Sequence, residues 1–271
     1  MGARSRVSTV AGLCVSGLAA AALVVGLMTD ANAVANGEPV EDGQYGFATK
    51  LVMTDIPRDA SFYDSACSGA LIAPQWIISA GHCFHSAVID GSYENASGSI
   101  GPGEAIPYGS VTAILGRAHL EGETGHEISV IEAYQAGTTD IAIAKLATPV
   151  TDVRPLRLPS GGPEIGDILR ITGWGALDAA DADPAVPQLQ TGQVQVSSVA
   201  ATTLGVKGYL PQADTSACVY DSGAPYFAES SYGRPTLVGI ESDGPSCPHD
   251  QEETLARVDS VVGWIIDTMA S

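Results

Sequence analysis

Short strand-like runs separated by turn residues are the feature that most constrains the fold of this 271-residue chain. Residues 47–52, 68–79 and 111–116 have the composition of β-strands, and the middle run contains a Pro-Gln turn. Further runs of this kind lie at 128–134, 141–146, 194–196 and 236–240. Only residues 259–269 carry apolar side chains at helical spacing, with Asp259 or Ser260 in position to cap the helix. The pattern predicts an all-β domain that ends in one helix.

An apolar N-terminal segment precedes the strand-like runs. Two arginines come before an apolar stretch at 10–28, and Ala31-Asn32-Ala33 offers small residues at a cleavage site. We therefore predict a signal peptide over residues 1–33 and a mature secreted domain over 34–271. The stretch is also long enough to span a bilayer, so a membrane anchor is the alternative. No second apolar run reaches that length, and we expect no membrane contact after cleavage.

Charge and cysteine content narrow the functional class. The formal net charge is −19, which argues against nucleic acid and anionic membranes as partners. After removal of the signal peptide, four cysteines remain: Cys67, Cys83, Cys218 and Cys247. An even number of cysteines in an exported chain indicates two disulfides, and the sequence alone permits three pairings.

Three short motifs carry the residues with reactive side chains. Ser222 lies in the segment Cys-Val-Tyr-Asp-Ser-Gly-Ala-Pro, His82 in Ser-Ala-Gly-His-Cys and Asp140 in Thr-Asp-Ile-Ala-Ile. A serine hydroxyl is a poor nucleophile unless a base takes its proton, so the serine requires the other two as partners. The Gly-x-Ser-x-Gly pattern is absent, because Tyr220 and Ala224 occupy its glycine positions, which argues against an α/β-hydrolase.

The order His, Asp, Ser resembles that of the trypsin/chymotrypsin family of serine proteases. The strand-turn-strand approach to His82 and the Thr-Gly-Trp-Gly segment ending at Gly175 carry the same resemblance. It implies two six-stranded antiparallel β-barrels, roughly 34–150 and 151–255, with the active site between them and a C-terminal helix. It also implies disulfides between Cys67 and Cys83 and between Cys218 and Cys247.

The resemblance also implies a role for each residue of the motifs. Ser222 would attack a peptide carbonyl, His82 would move the proton, and Asp140 would hold the imidazole in the right tautomer. The backbone N–H groups of Ser222 and Tyr220 would form the oxyanion hole. Relatives have glycine at the tyrosine position, and a Cβ there restricts the backbone.

The N-terminus of the mature chain carries a further expectation from the resemblance. Val34, freed by signal cleavage, would insert its ammonium group and pair with Asp221, which orders the nucleophile loop. A buried aspartate without a cation would be costly. The alternative is that Val34 belongs to a short propeptide.

The substrate pocket departs from the family pattern. Ser242, Asp243 and Gly244 stand where relatives usually have Ser-Trp-Gly, whose backbone pairs with the substrate as an added strand. Ser216 occupies the position of the trypsin-like pocket aspartate, and Glu253 falls near the opposite wall. A carboxylate in the pocket would favour a basic side chain, whereas a serine floor suits apolar ones, and the sequence leaves both open.

Metal sites are not indicated by the sequence. In some relatives the segment 117–127 binds calcium between acidic residues, but here Arg117 begins it and Glu127 ends it, so an ion pair would replace the metal. We expect no structural calcium and no cofactor. The remaining histidines, His85, His119, His126 and His249, lack metal-ligand spacing and are predicted at the surface, and residues 86–110 are predicted to form a surface loop.

The sequence thus predicts a secreted serine endopeptidase that acts through an acyl-enzyme and needs no cofactor. Its expected partners are protein or peptide substrates and protein protease inhibitors, and it is expected to be a monomer. A protease-fold binding or decoy protein with little turnover is the alternative from another class. An esterase of the same fold is a further one.

Overall fold

The computed structural model describes Gly2 and residues 34–58, 61–84, 109–122, 124–181, 187–230 and 233–271. The chain divides into units 1–30 and 31–271, and all described elements lie in the second. The predicted signal peptide apart from Gly2, together with His85 and residues 86–108 of the predicted 86–110 loop, falls outside the described residues. Within the described ranges, no helix has both the length and the apolar character needed to cross a bilayer.

The N-terminal half forms a closed six-stranded antiparallel barrel. A two-residue strand β1 (Glu38–Pro39) precedes it, and the barrel order is β2-β3-β4-β7-β6-β5. Alternation places one face of each strand inside, as in the fifth strand, where Val111, Ala113 and Leu115 are buried. The strands are β2 (Ala48–Arg58), β3 (Ser61–Ala73), β4 (Trp76–Ser79), β5 (Ser110–Leu115), β6 (His126–Gln135) and β7 (Ala142–Leu146).

The C-terminal half forms a second antiparallel barrel of six strands. Its order is β8-β9-β10-β13-β12-β11, and pairing of β11 with β8 closes it. The strands are β8 (Ile168–Gly173), β9 (Gln190–Val199), β10 (Thr203–Leu210), β11 (Pro225–Ala228), β12 (Thr236–Asp243) and β13 (Glu253–Arg257). Strand β1 pairs with the start of β9, so it joins this barrel rather than the barrel that follows it directly in sequence.

The chain ends in the predicted helix, but its start differs from the prediction. A 3₁₀ turn (Asp259–Val261) leads into α1 (Val262–Ala270), and neither start has a side-chain cap. The predicted cap by Asp259 or Ser260 is wrong, because both side chains have other partners. The Asp259 carboxylate binds the Arg257 guanidinium at 3.0 and 2.7 Å, and the Ser260 hydroxyl donates to the Arg257 carbonyl.

Two disulfides tie the loops between the strands. The pairs are Cys67–Cys83 and Cys218–Cys247, the pairing that the family resemblance implies. The first joins β3 to the 3₁₀ turn Gly81–Phe84, which contains His82. The second joins the serine-bearing loop to the loop between β12 and β13. Cross-links of this kind restrict the unfolded chain, and each typically stabilises by roughly 2–4 kcal/mol.

Candidate active site

His82 and Asp140 meet because their strands are paired. His82 follows β4, Asp140 precedes β7, and Ser79 of β4 lies opposite Ala142 of β7. The Asp140 carboxylate accepts two hydrogen bonds from the histidine residue. One comes from the backbone N–H of His82 to Oδ1 at 2.8 Å, and the second joins Nδ1 and Oδ2, also at 2.8 Å. This arrangement fixes Nδ1 as the donor and leaves Nε2 directed away from the aspartate.

A third hydrogen bond to Asp140 comes from Ser242. Its hydroxyl donates to Oδ2 at 2.6 Å. Burial is the largest single influence on the Asp140 pKa and raises it, but the hydrogen bonds and charge of His82 and the hydroxyl of Ser242 outweigh burial and lower the pKa below its ordinary value. The sequence indicates only a substrate-pairing role for Ser242, since no local motif links it to Asp140.

Ser222 lies in a loop of successive tight turns. Asp221 N–H donates to the Cys218 carbonyl and Ala224 N–H to the Asp221 carbonyl. The Ser222 carbonyl accepts the Ser68 N–H at 2.8 Å, and the Sγ atom of Cys83 lies 3.8 Å from the same oxygen. Because Cys83 follows His82 directly, the serine backbone lies beside the histidine turn. Within the described residues the Ser222 hydroxyl makes no hydrogen bond to the His82 ring, so their approach stays a prediction.

Tyr220 adopts the backbone conformation that usually requires glycine. Its φ is 75°, in the left-handed region, and Gly223 on the other side of the serine has φ 85°. The conformation costs a non-glycine residue about 1–2 kcal/mol. The Tyr220 carbonyl accepts the Ser68 hydroxyl at 3.3 Å. Among the described residues, the N–H groups of Tyr220 and Ser222 donate to no other protein group, which leaves both available to a ligand.

Asp221 is fully buried against the backbone of the Gly-Trp-Gly segment. Its carboxylate accepts the N–H of Gly175 at 2.8 Å and of Cys218 at 3.0 Å. A Cβ at Gly173 or Gly175 would collide with that carboxylate, which explains the two glycines. Burial raises the pKa of Asp221 to about 7, with Glu253 adding to it, although the two backbone donors and Lys50 oppose the rise.

Val34 contributes to the second barrel. Its side chain is buried in an apolar cluster with Ile171 and Val194, and Ala35 bridges to Ser216. In the uncut chain the Val34 nitrogen belongs to a peptide bond, so its pairing with Asp221 stays a prediction.

A cavity of about 240 Å³ opens beside Ser222. Of the residues predicted to contact substrate, Ser242, Asp243, Gly244 and Glu253 line it. Ser216 is buried and lies outside the lining, where its hydroxyl accepts the His249 N–H at 3.3 Å. The remaining lining comes from Ala179, 217–219, Glu241 and 245–247.

A buried polar cluster contributes Glu241 and Glu253 to the lining of this cavity. The Tyr226 hydroxyl lies 2.8 Å from a carboxylate oxygen of Glu241 and 2.7 Å from one of Glu253. The other Glu253 oxygen accepts the Ala217 N–H at 2.6 Å and lies 3.3 Å from Nε2 of His249, an ion-pair distance without hydrogen-bond alignment. Burial raises the pKa of Glu241, and neighbouring Glu253 raises it further.

The histidines differ in their surroundings. The predicted surface position of His249 is wrong, because its side chain is buried beside Glu253, whose carboxylate 3.3 Å from Nε2 raises the histidine pKa. His126 is half-buried and contacts Asp152, and His119 is exposed. No sequence motif marks Glu241, Tyr226 or His249 as members of one cluster, because they lie in three separate segments that meet only in the folded chain.

The segment that begins at Arg117 contains the predicted ion pair. Arg117 is buried, and its Nη1 atom donates to Glu127 at 2.9 Å and to the carbonyls of Leu120 and Gly122 at 3.2 and 3.3 Å. One guanidinium thus gathers three oxygens of this segment. Among the described residues, no group of three or more His, Cys, Asp or Glu side chains is arranged to hold a metal ion.

Sequence comparison agrees with this geometry. A family model described as Trypsin matches residues 34–265. The chain belongs to the trypsin family. The match covers both barrels and all three motif residues.

Curated relatives of this trypsin-family chain are distant. Human chymotrypsin-like elastase family member 3B is 28% identical over 264 residues, covering 88% of this chain and 89% of that protein. Mouse transmembrane protease serine 11C is 27% identical over 251 residues, covering 86% of this chain and 52% of that protein. Mouse serine protease 56 is 26% identical over 255 residues, covering 88% and 39%. The chain therefore spans about half or less of the last two.

Proposed function

We propose that this chain is a secreted serine endopeptidase that hydrolyses peptide bonds through an acyl-enzyme. The observation that carries the proposal is the paired contact of Asp140 with His82, through the backbone N–H and Nδ1, next to the loop that bears Ser222. Family membership and the two unengaged N–H groups of Tyr220 and Ser222 support it. Its substrates are proteins or peptides, which bind along Ser242, Asp243 and Gly244, and it acts as a monomer without a cofactor.

In this mechanism His82 takes the Ser222 proton as the hydroxyl attacks the scissile carbonyl. The resulting oxyanion is held by the backbone N–H groups of Ser222 and Tyr220, and loss of one such donor typically costs about 10²–10³ in rate. The tetrahedral intermediate collapses to a serine ester while the imidazolium protonates the leaving amine. Water, deprotonated by the same imidazole, then releases the acid product.

A fluorophosphonate probe tests the proposal. Labelling is expected at Ser222 of the mature chain and is expected to be lost in Ser222→Ala and strongly slowed in His82→Ala. Ser65→Ala, in β3 away from the site, is the control and should label normally. Failure of the mature chain to label, with the fold intact by circular dichroism, would overturn the proposal and favour the low-turnover decoy protein. Comparison of matched ester and amide substrates separates an endopeptidase from an esterase.

A further inference from the structure

In the buried polar cluster beside the cavity, the Tyr226 hydroxyl makes two short oxygen contacts but has only one proton to share between them. Tyr226 has one hydroxyl proton, yet its oxygen lies 2.8 Å from Glu241 and 2.7 Å from Glu253. Contacts this short between buried oxygens each need a hydrogen. One contact is satisfied by the phenol proton, and the other requires a proton on a carboxyl group.

The neighbours decide which carboxyl group holds that proton. Glu253 accepts the Ala217 N–H at 2.6 Å and has His249 within 3.3 Å, so its negative charge is the better stabilised. Among the described side chains, Tyr226 is the hydrogen-bond partner of the Glu241 carboxyl, which lines the cavity. Glu241 is therefore the protonated member, and its raised pKa agrees with this assignment.

The titratable and charged groups around Glu241 come from several elements. Glu253 begins β13, Asp243 ends β12, Tyr226 lies on β11, and Asp221 lies in the serine loop, with Lys50 of β2 acting on it. His249, when protonated, offsets Glu253. With its proton in place Glu241 adds no charge to the cavity, and after loss of the proton it adds one negative charge.

We propose that Glu241 is a proton-exchanging specificity residue in the lining of the substrate cavity. The cavity accepts a cationic lysine or arginine side chain when Glu241 releases its proton, and an uncharged side chain while Glu241 keeps it. The inference rests on the proposed function, since the cavity is the substrate pocket only if Ser222 is the nucleophile. No bond other than O–H is broken, and the proton goes to solvent.

Calorimetry of benzamidine binding tests this without turnover. The mature Ser222→Ala chain is titrated with benzamidine from pH 4.5 to 9, in pairs of buffers that differ in ionisation enthalpy. Below the pKa of Glu241 we expect about one proton released per molecule bound and affinity that rises up to tenfold per pH unit. Binding without proton release at any pH would overturn the proposal.

Variants identify the proton's source. Glu241→Gln should bind benzamidine at least about tenfold more weakly and release no proton. Glu252→Gln is the matched control, because that exposed carboxylate next to Glu253 has the Ser197 and Ser198 hydroxyls as its side-chain hydrogen-bond partners among the described residues and does not line the cavity. If Glu241→Gln does not fold, Tyr226→Phe serves instead, because it removes the hydroxyl that contacts the Glu241 carboxyl. The pH at which half a proton is released on binding should then shift, and an unchanged value would contradict Glu241 as the source of the proton.

The pH dependence of peptide cleavage tests the role of Glu241 independently of calorimetry. For peptides that differ only in lysine or norleucine at the cleaved position, the ratio of kcat/KM values cancels the titration of His82. The ratio is expected to rise with pH in the wild type and to stay flat in Glu241→Gln. If Ser222 does not label yet benzamidine binding releases a proton, the proposed function fails and the assignment of Glu241 stands. A ratio that is flat in a labelled wild-type enzyme overturns the assignment alone.

Discussion

At the scale of single residues, the backbone and the side chain of Ser242 have different partners. Its backbone lies in the segment proposed to pair with substrate, while its hydroxyl donates to the Asp140 carboxylate at 2.6 Å. Asp140 thus has three donors, two from His82 and one from Ser242. In the proposed mechanism, this hydrogen bond connects the substrate-pairing segment to the carboxylate that orients the His82 imidazole.

Ser242→Ala should lower stability at neutral pH more than at acid pH. Because the folded-state pKa of Asp140 is lowered, its stabilising contribution is present above the unfolded value near 4 and is lost as pH falls through the folded value. Removing one donor should cost about 1 kcal/mol at pH 7, and the deficit should shrink once Asp140 is protonated. Urea unfolding across this range measures it.

Ser260→Ala is the control for this prediction. Its hydroxyl donates to the Arg257 carbonyl, which does not titrate, so its deficit should not vary with the protonation of Asp140. An equal deficit for Ser242→Ala at every pH would contradict the assigned role.

At the scale of elements, the loop between β5 and β6 is organised by one cation. The Arg117 guanidinium contacts the Glu127 carboxylate and the Leu120 and Gly122 carbonyls. Oxygens of these types are also the ligands that calcium prefers. We therefore expect the side-chain charge at position 117 to decide whether these oxygens are bound by the protein's own guanidinium or require an external cation.

Arg117→Glu should make the thermal stability of the protein depend on calcium. Two carboxylates and two carbonyls then face the space of the guanidinium, and Tm is expected to fall in chelator and to recover with millimolar calcium. Arg117→Met should have a lower Tm that calcium does not restore, and the Tm of the wild type should not change in chelator. Thermal unfolding with and without calcium measures all three, and an Arg117→Glu variant insensitive to calcium would rule the idea out.

Elements with strong local signals were predictable from the sequence, and the pocket cluster was not. The strand-turn-strand before His82 and the serine motif carry local patterns, and β3, β4 and the serine loop lie where those patterns place them. Strands β10 and β13 carry no strong local signal because polar residues interrupt their apolar ones, and β11 carries none because it is only four residues long. Glu241, Tyr226 and Glu253 come together only through the pairing of β12 with β11 and β13, which no single segment encodes.

At the scale of the whole molecule, the segment that begins at Val34 and the serine loop are linked through the second barrel. Ala35 bridges to Ser216, and Val34 is buried among the apolar side chains of β8 and β9. Asp221, five residues after Ser216, is buried with its pKa raised to about 7 in the uncut chain. A buried carboxyl group of this kind favours the folded state while protonated, and the preference is lost as pH rises from about 4 toward 7.

Release of the Val34 ammonium should reverse this pH dependence. If it pairs with Asp221, its pKa is raised in the folded state, so the stabilisation is full below the free-amine value of about 8 and is lost at higher pH. We expect Tm of the uncut chain to fall between pH 4 and 7, whereas the mature chain keeps its Tm and activity until above pH 8. The mature chain with an acetylated N-terminus is the decisive comparison, because it has the same residues without the cation. Full activity of that acetylated chain would exclude the pairing.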